Sequence, residues 1–202
     1  MQNKGILLII SGPSGAGKGT VVNNLIGKGD YALSISATTR KPRSYEQEGV
    51  HYFFKEKQEF IKMIDNNEFI EYACFCDNYY GTPRTYVEKE LLNGINVILE
   101  IEVQGALQVK EKYPEAVLIF MLPPSIKVLK SRLEGRGTEE KAAIEKRIIR
   151  AIEELEFFPE YEYLVINDEV EKAADDIELI VKNEKMRTFR NLDKIVEFKG
   201  EI

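Results

Sequence analysis

Ile6-Leu7-Leu8-Ile9-Ile10-Ser11-Gly12-Pro13-Ser14-Gly15-Ala16-Gly17-Lys18-Gly19-Thr20-Val21-Val22 sets the architecture of the whole chain. Its five leading aliphatic residues read as a buried strand, and Val21-Val22-Asn23-Asn24-Leu25-Ile26 reads as the helix that follows. Between them, glycines let the backbone turn tightly enough to aim several N–H groups at one anion. The start of the helix adds unpaired amides and the positive end of its dipole. Lys18 supplies a mobile cation for the outer phosphates, and the pattern G-x-x-x-x-G-K is complete. Position 19 is glycine where Ser or Thr is usual, and Thr20 comes one residue later. Gly12 through Thr20 therefore predict a cradle for nucleotide phosphates, with Mg²⁺ held less directly than the usual hydroxyl would hold it.

The 202 residues suit one domain with insertions, and 44% hydrophobic with 31% charged residues is ordinary soluble composition. No apolar run approaches a membrane span and no signal segment opens the chain, which predicts a cytoplasmic protein with no membrane partner. A net charge of −6 argues against a protein that coats nucleic acid. Cys74 and Cys76, with His51 the single histidine, make a poor metal set and read as reduced thiols.

Apolar runs at 6–10, 33–36, 96–101, 116–121 and 163–166 alternate with helical patterns, which predicts an α/β protein with a parallel sheet covered on both faces. Thr82-Pro83 reads as a helix N-cap with proline in the first turn, and Asn93-Gly94 as that helix's end. Ser125 caps a helix carrying Ile126, Leu129 and Leu133, stopped by Gly135. A longer helix starts near Thr138, carries Ile144, Ile148, Ile152 and Leu155 on one stripe, and ends before Pro159. Two regions interrupt this rhythm. Residues 37–82, rich in Tyr, Phe and Arg, read as an inserted lobe. Residues 125–150 hold eight basic against four acidic residues in an acidic chain. Part of that excess fits solvated helix faces, but Arg132, Arg136, Arg147 and Arg150 suit a lid over transferring phosphates.

Ser34-Ile35-Ser36-Ala37-Thr38-Thr39-Arg40-Lys41-Pro42-Arg43-Ser44-Tyr45-Glu46 is the second informative passage. Two arginines three residues apart, stiffened by Pro42, form a plausible clamp for a second phosphate, because guanidinium offers paired donors in fixed geometry. Further blocks follow in order: Gly49-Val50-His51-Tyr52-Phe53-Phe54, Glu71-Tyr72, Asn78-Tyr79-Tyr80-Gly81-Thr82-Pro83, Leu99-Glu100-Ile101-Glu102-Val103-Gln104-Gly105 and Arg136-Gly137-Thr138-Glu139. Together they closely resemble the guanylate kinase family from Ile6 to about Asp168.

The resemblance implies a P-loop NTPase-like three-layer α/β/α fold, with a core of 1–36, 83–124 and 156–202, a GMP-binding lobe of about 37–82 and a lid of about 125–155. It implies transfer of the γ-phosphoryl group of MgATP to GMP, with dGMP as a further acceptor. Arg40, Arg43, Tyr52 and Tyr80 would grip the GMP phosphate, with Glu46 supporting the clamp. Ser36, Glu71, Thr82 and Glu102 would read guanine; Glu102 stands where many members have Asp, and Thr82 where Ser is frequent. Lys18, Arg40, Arg132, Arg136 and Arg147 would serve catalysis, Arg136 and Asn167 would also meet ATP, and Thr20 and Glu100 would reach Mg²⁺ through water.

Chemistry supports the carboxylates independently. Guanine presents N1–H and an exocyclic amine side by side, and an ionised carboxylate accepts from both. Adenine would set a lone pair against that carboxylate, leaving a buried acceptor unpaired. Three other readings are weaker. A peptide-binding relative of this family would typically lack an intact phosphate loop. A regulatory GTPase would need D-x-x-G and N-K-x-D, and neither occurs in the sequence. A kinase for AMP or a pyrimidine monophosphate is the closest in chemistry.

Overall fold

A computed structural model describes residues 4–75, 77–135 and 141–200. The chain begins with β1 (Leu7–Ser11), α1 (Lys18–Gly27) and β2 (Tyr31–Leu33). It continues through β3 (Ala37–Thr38), β4 (Phe53–Phe54), α2 (Lys57–Asp65), β5 (Phe69–Phe75) and β6 (Asn78–Pro83). Next come α3 (Arg84–Leu92), β7 (Asn96–Glu100), α4 (Val103–Lys112), β8 (Val117–Leu122) and α5 (Ile126–Glu134). Last are α6 (Lys141–Glu154), β9 (Tyr163–Ile166), α7 (Val170–Lys185) and α8 (Leu192–Gly200).

Alternation within β1 explains the three layers. Leu8 and Ile10 face α1 and α7, packing on Val21, Val22, Leu25 and Ile177, while Leu7 and Ile9 face α3 and α4, packing on Val87, Leu91, Ala106 and Val109. A strand buried on both faces reads as an unbroken apolar run, which is what 6–10 shows. The sheet is parallel throughout, in the order β2-β7-β1-β8-β9. β1 and β7 are neighbours whose following helices, α1 and α4, lie on opposite faces. That divergence opens a crevice at the strands' C-terminal ends, where ligands bind in sheets of this kind.

A second sheet, β4-β3-β6-β5, is built from residues 37–83 and is mixed: β3 and β4 run parallel, the other pairs antiparallel. Its own small core has Phe60 of α2 stacked between Phe69 (4.4 Å between centroids) and Tyr79 (5.5 Å). The other interruption forms α5 and α6, joined by Leu129, Leu133, Ile144 and Ala151.

Several boundaries differ from the sequence reading. The strand expected at 33–36 is Tyr31–Leu33, because pairing with β7 ends where the Ser34 amide donates to Ile98. Thr82 does not cap α3. It lies within β6, its hydroxyl is engaged elsewhere, and Pro83 takes the N-cap position. Ser125 does cap α5, its Oγ accepting from the Val128 amide at 3.2 Å. The helix expected to stop before Pro159 ends at Glu154 but continues as a 3₁₀ turn, Leu155–Glu160, that contains Pro159. On its stripe Ile144 is buried, whereas Ile152 and Leu155 are exposed. The expected start at Thr138 lies outside the described residues, as do Arg136 and Cys76. Cys74 is a free, exposed thiol on β5.

Phe60→Ala would remove the ring that joins α2 to β5 and β6, leaving a cavity that this small core cannot refill. The expected loss is about 3 kcal/mol, read as a lower denaturant midpoint, with intrinsic tyrosine emission reporting Tyr79.

Candidate active site

The crevice takes its first wall from the loop between β1 and α1. Gly12, Gly15 and Gly17 have φ of 140°, 96° and 87°, a region side chains disfavour. A Cβ on Gly12 would lie 2.1 Å from the Met121 carbonyl of β8, and one on Gly17 would lie 2.4 Å from Asn167 Nδ2. Glycine is required at both positions for space as well as for conformation. Gly17 is the N-cap of α1 and has no side chain to absorb the first amides of the helix, so they remain for an anion. Lys18 Nζ donates to the carbonyls of Gly12 (2.5 Å) and Pro13 (3.3 Å), so its ammonium lies over the loop.

Three side chains brace the loop from outside. Asn167, buried at the end of β9, donates from Nδ2 to the Ala16 carbonyl at 2.7 Å. Arg132 of α5 donates to the carbonyls of Ala16 (3.2 Å) and Asn167 (2.9 Å). Arg147 of α6 donates to Ser14 Oγ at 3.0 Å. Residues more than a hundred positions apart thus meet at one turn. Glu100 closes β7 beside this loop, 3.5 Å from where a Cβ on Gly19 would lie. It touches solvent yet is walled by protein: burial, reinforced by Glu102, pushes its carboxyl above the usual range, and Lys18 opposes the shift. Thr20 is exposed on α1.

The opposite wall is the second sheet. Arg40 grips Glu46 with two parallel bonds, Nη1 to Oε2 at 3.0 Å and Nη2 to Oε1 at 2.8 Å. The Arg43 amide adds a third donor to Glu46 at 2.7 Å. Glu46 holds the Arg40 guanidinium well above its ordinary value against the cost of burial, and Tyr80 adds to this. Arg40 in turn holds the Glu46 carboxyl below the usual range. Arg40 also lies 5.5 Å from the Tyr52 ring centre, and Tyr52 meets Tyr80 edge-on at 6.1 Å. Arg43 is not drawn into this cluster by its side chain, which donates to Tyr45 Oη at the surface. Ser36 engages Phe53 through its carbonyl, which accepts from the Phe53 amide at 2.9 Å.

In the same sheet, Glu71 of β5 is only 5% exposed and lies against α4. Thr82 Oγ1 donates to its Oε1 at 2.6 Å. Burial pushes its carboxyl up, while Thr82 and the charge of Lys112 pull the other way. Glu102 is unlike it. At the head of α4, it is 68% exposed and its Oε2 accepts from Arg150 Nη2 at 3.2 Å.

Two residues near Glu71 escaped the sequence reading. Gly105 lies inside α4, and a Cβ there would sit 2.9 Å from Glu71 Oε2. Lys112, at the end of α4, donates to the Ile70 carbonyl at 2.8 Å. A glycine in a helix interior is the signal that could have pointed to the first, since it costs roughly 1 kcal/mol against alanine and calls for a reason.

A parallel sheet of this order, with a glycine-rich turn leading into a lysine at the head of α1, defines a P-loop NTPase-like α/β protein. The sequence model for guanylate kinase matches residues 4–184. A guanylate kinase of Caldanaerobacter subterraneus is 50% identical over 202 residues, spanning 100% of this chain and 98% of that protein. One of Bacillus cereus is 53% identical over 191 residues, 94% of this chain and 93% of that protein. The crystal structure of the guanylate kinase from Anaplasma phagocytophilum superposes with a TM-score of 0.80 at 33% identity, covering 100% of this chain and 98% of that one. The chain belongs to the guanylate kinase family.

Gly105→Ala separates helix propensity from the fit around Glu71. Propensity alone would stabilise α4 by roughly 1 kcal/mol, but the methyl displaces a carboxylate pinned by Thr82. The expected result is a net loss of stability in urea denaturation; a gain would mean that Glu71 has room to move.

Proposed function

We propose that this chain transfers the γ-phosphoryl group of ATP to GMP, giving ADP and GDP. Membership of the guanylate kinase family carries the reaction, and the buried Glu71 carboxylate supports the choice of base. ATP phosphates would lie on the amides of Gly12 to Thr20, with Lys18 over the outer ones and Asn167 and Arg136 toward the rest of the nucleotide. The GMP phosphate would be gripped by Arg40, Arg43, Tyr52 and Tyr80. Glu71, Thr82, Ser36 and Glu102 would surround guanine.

The acceptor phosphate is already a nucleophile, so the protein has only to align the two substrates and neutralise charge. Glu46 fixes the plane of Arg40, so its remaining donors meet the acceptor phosphate with little ordering left to do. Glu71 is desolvated before substrate arrives. Guanine N1–H and N2–H would supply the donors that a buried carboxylate lacks, so binding repays the burial and draws its acidity back toward the ionised form. Lys18, Arg132, Arg136 and Arg147 would spread positive charge over the transferring group. The arginines approach from α5 and α6, so the same elements that supply charge also cover the site and limit transfer to water.

Oxygen donors suited to a hard cation are present, since Glu100 lies beside Gly19 and Thr20 follows on α1. Among the described residues no three His, Cys, Asp or Glu converge into a metal cage. That suits an ion carried in by nucleotide phosphates, with Glu100 and Thr20 holding its water. When bound, Mg²⁺ would neutralise charge on the ATP phosphates.

Coupled ADP release with ATP and a panel of GMP, dGMP, AMP, CMP and UMP tests this reading; AMP outperforming GMP would overturn it. Lys18→Ala is expected to lower kcat by about a hundredfold or more with unchanged circular dichroism. Near-normal turnover would remove Lys18 from the transfer step.

Glu71→Gln is expected to raise KM for GMP and lower the GMP-over-AMP ratio by about a hundredfold, since an amide accepts one guanine donor and opposes the other. The native carboxyl binds its proton more tightly than the unfolded one, so ionisation lowers stability as pH rises through the raised folded value. Glu71→Gln removes that penalty. Its stability relative to the parent should therefore rise between pH 4 and pH 8, read by denaturant midpoints across that range.

A further inference from the structure

We infer that Arg150 is a positioning residue for the acceptor base, acting through Glu102. This rests on the reading of Glu102 as one of the groups that meet guanine. Arg150 lies on α6, one turn beyond Arg147, and residues three apart share a helix face. Arg147 donates to Ser14 in the phosphate loop, and Arg150 Nη2 donates to Glu102 Oε2 at 3.2 Å. One helix thus bridges the donor loop and the acceptor-side carboxylate. Arg150 Nε also donates to Glu154 Oε1 at 3.3 Å, one turn further along. With Cys74 and Phe157, these three charged residues line a cavity of about 170 Å³ between α6, β5 and α4.

Glu102 needs such a partner. It stands at the N-cap of α4 without using its side chain to cap the helix, so its own backbone position leaves the carboxylate undirected. Its charge raises the pKa of both Glu100 and Glu154, behind burial as the larger cause in each case. Three carboxylates therefore surround this corner, and Arg150 is the cation that pairs with two of them. The guanidinium engages Oε2 and leaves Oε1 without a share in that bond, so Glu102 would present one fixed acceptor to the base.

Stability is a poor explanation for the arrangement. The side chains of Arg150 and Glu102 are 46% and 68% exposed, and exposed ion pairs contribute little to folding. The pair strengthens when a bound base excludes water from the crevice, which is when orientation of Glu102 matters.

The test measures kcat and KM for GMP and ATP, the GMP-over-AMP ratio and Tm in Arg150→Met, Arg150→Lys, Glu102→Gln and the Arg150→Met/Glu102→Gln double variant. Arg150→Met is expected to raise KM for GMP about tenfold and to erode the ratio, with kcat, KM for ATP and Tm close to the parent. Arg150→Lys should recover part of the loss, since an ammonium keeps the charge but not the fork that spans two carboxylates. The double variant should be no worse than Glu102→Gln alone. A fall in kcat with KM for GMP unchanged would assign Arg150 to the transferring phosphates and overturn the inference. Additive losses in the double variant would overturn it too. A strong effect of Glu102→Gln with Arg150→Met silent would overturn the inference and leave the base reading standing. Glu102→Gln without effect would remove Glu102 from the base site and take the inference with it.

Discussion

The hydrogen bond from Asn167 to the Ala16 carbonyl is the constraint on which the nucleotide side of the molecule depends. A loop that offers N–H groups to an anion must turn its carbonyls away, and those carbonyls need donors of their own. Asn167 supplies one from the end of β9, buried at 2% exposure, and Arg132 supplies another from α5. The sheet makes this possible. β8 lies beside β1 and β9 beside β8, so the end of β9 stands over the loop that leaves β1. Removing the Asn167 side chain would leave the Ala16 carbonyl held by Arg132 alone, through the longer of its two bonds.

The two sides of the crevice solve the charge problem in opposite ways. On the sheet side, positive charge comes from backbone amides, Lys18 and arginines that rest on carbonyls and a hydroxyl, with Glu100 beside the loop. On the lobe side, Arg40 is neutralised in advance by Glu46, and Glu71 is buried with a threonine hydroxyl, not a cation, bonded to it. Glu46 is held ionised and Glu71 is pushed toward its neutral form. One carboxylate spends its charge on orienting an arginine; the other is bonded by a neutral hydroxyl and, on the function proposed above, would keep acceptor capacity for a ligand. The same residue type takes opposite roles because one has a guanidinium across from it and the other has a threonine.

What was legible in the sequence follows the range of the interactions. The apolar runs located β1, β7 and β8 closely, because a strand buried on both faces leaves no polar interruption in its own segment, whereas the run at 33–36 met β2 only at Leu33. Ser125 was legible as a cap because its partner, the Val128 amide, is three residues away. Thr82 carried the same local signal and misled, because a buried carboxylate eleven positions back competes for its hydroxyl and wins. The end of β2 was set by its register against β7, which no local pattern encodes. The pairing of Arg40 with Glu46 was implied by the family resemblance, and the two lie only six residues apart. The approach of Gly105 to Glu71 and the pairing of Arg150 with Glu102 join residues 34 and 48 positions apart, and only the fold brings them together.

That division bears on why this family resemblance was so strong in the sequence while individual contacts were not. The block that opens it is a loop at the C-terminal end of β1, where backbone geometry demands glycine at 12 and 17 for space, and proline at 42 stiffens the block after it. Such demands write themselves into short contiguous motifs. The contacts between blocks make weaker local demands, since a carboxylate can be met from several directions by any helix that passes. Gly105 is the exception that joins the two levels. It weakens α4 locally, and the reason appears only where α4 crosses β5 and a methyl group would meet the carboxylate of Glu71. A residue that breaks a local rule within an otherwise regular element is here the sequence's record of a long-range contact, and it points to the buried Glu71.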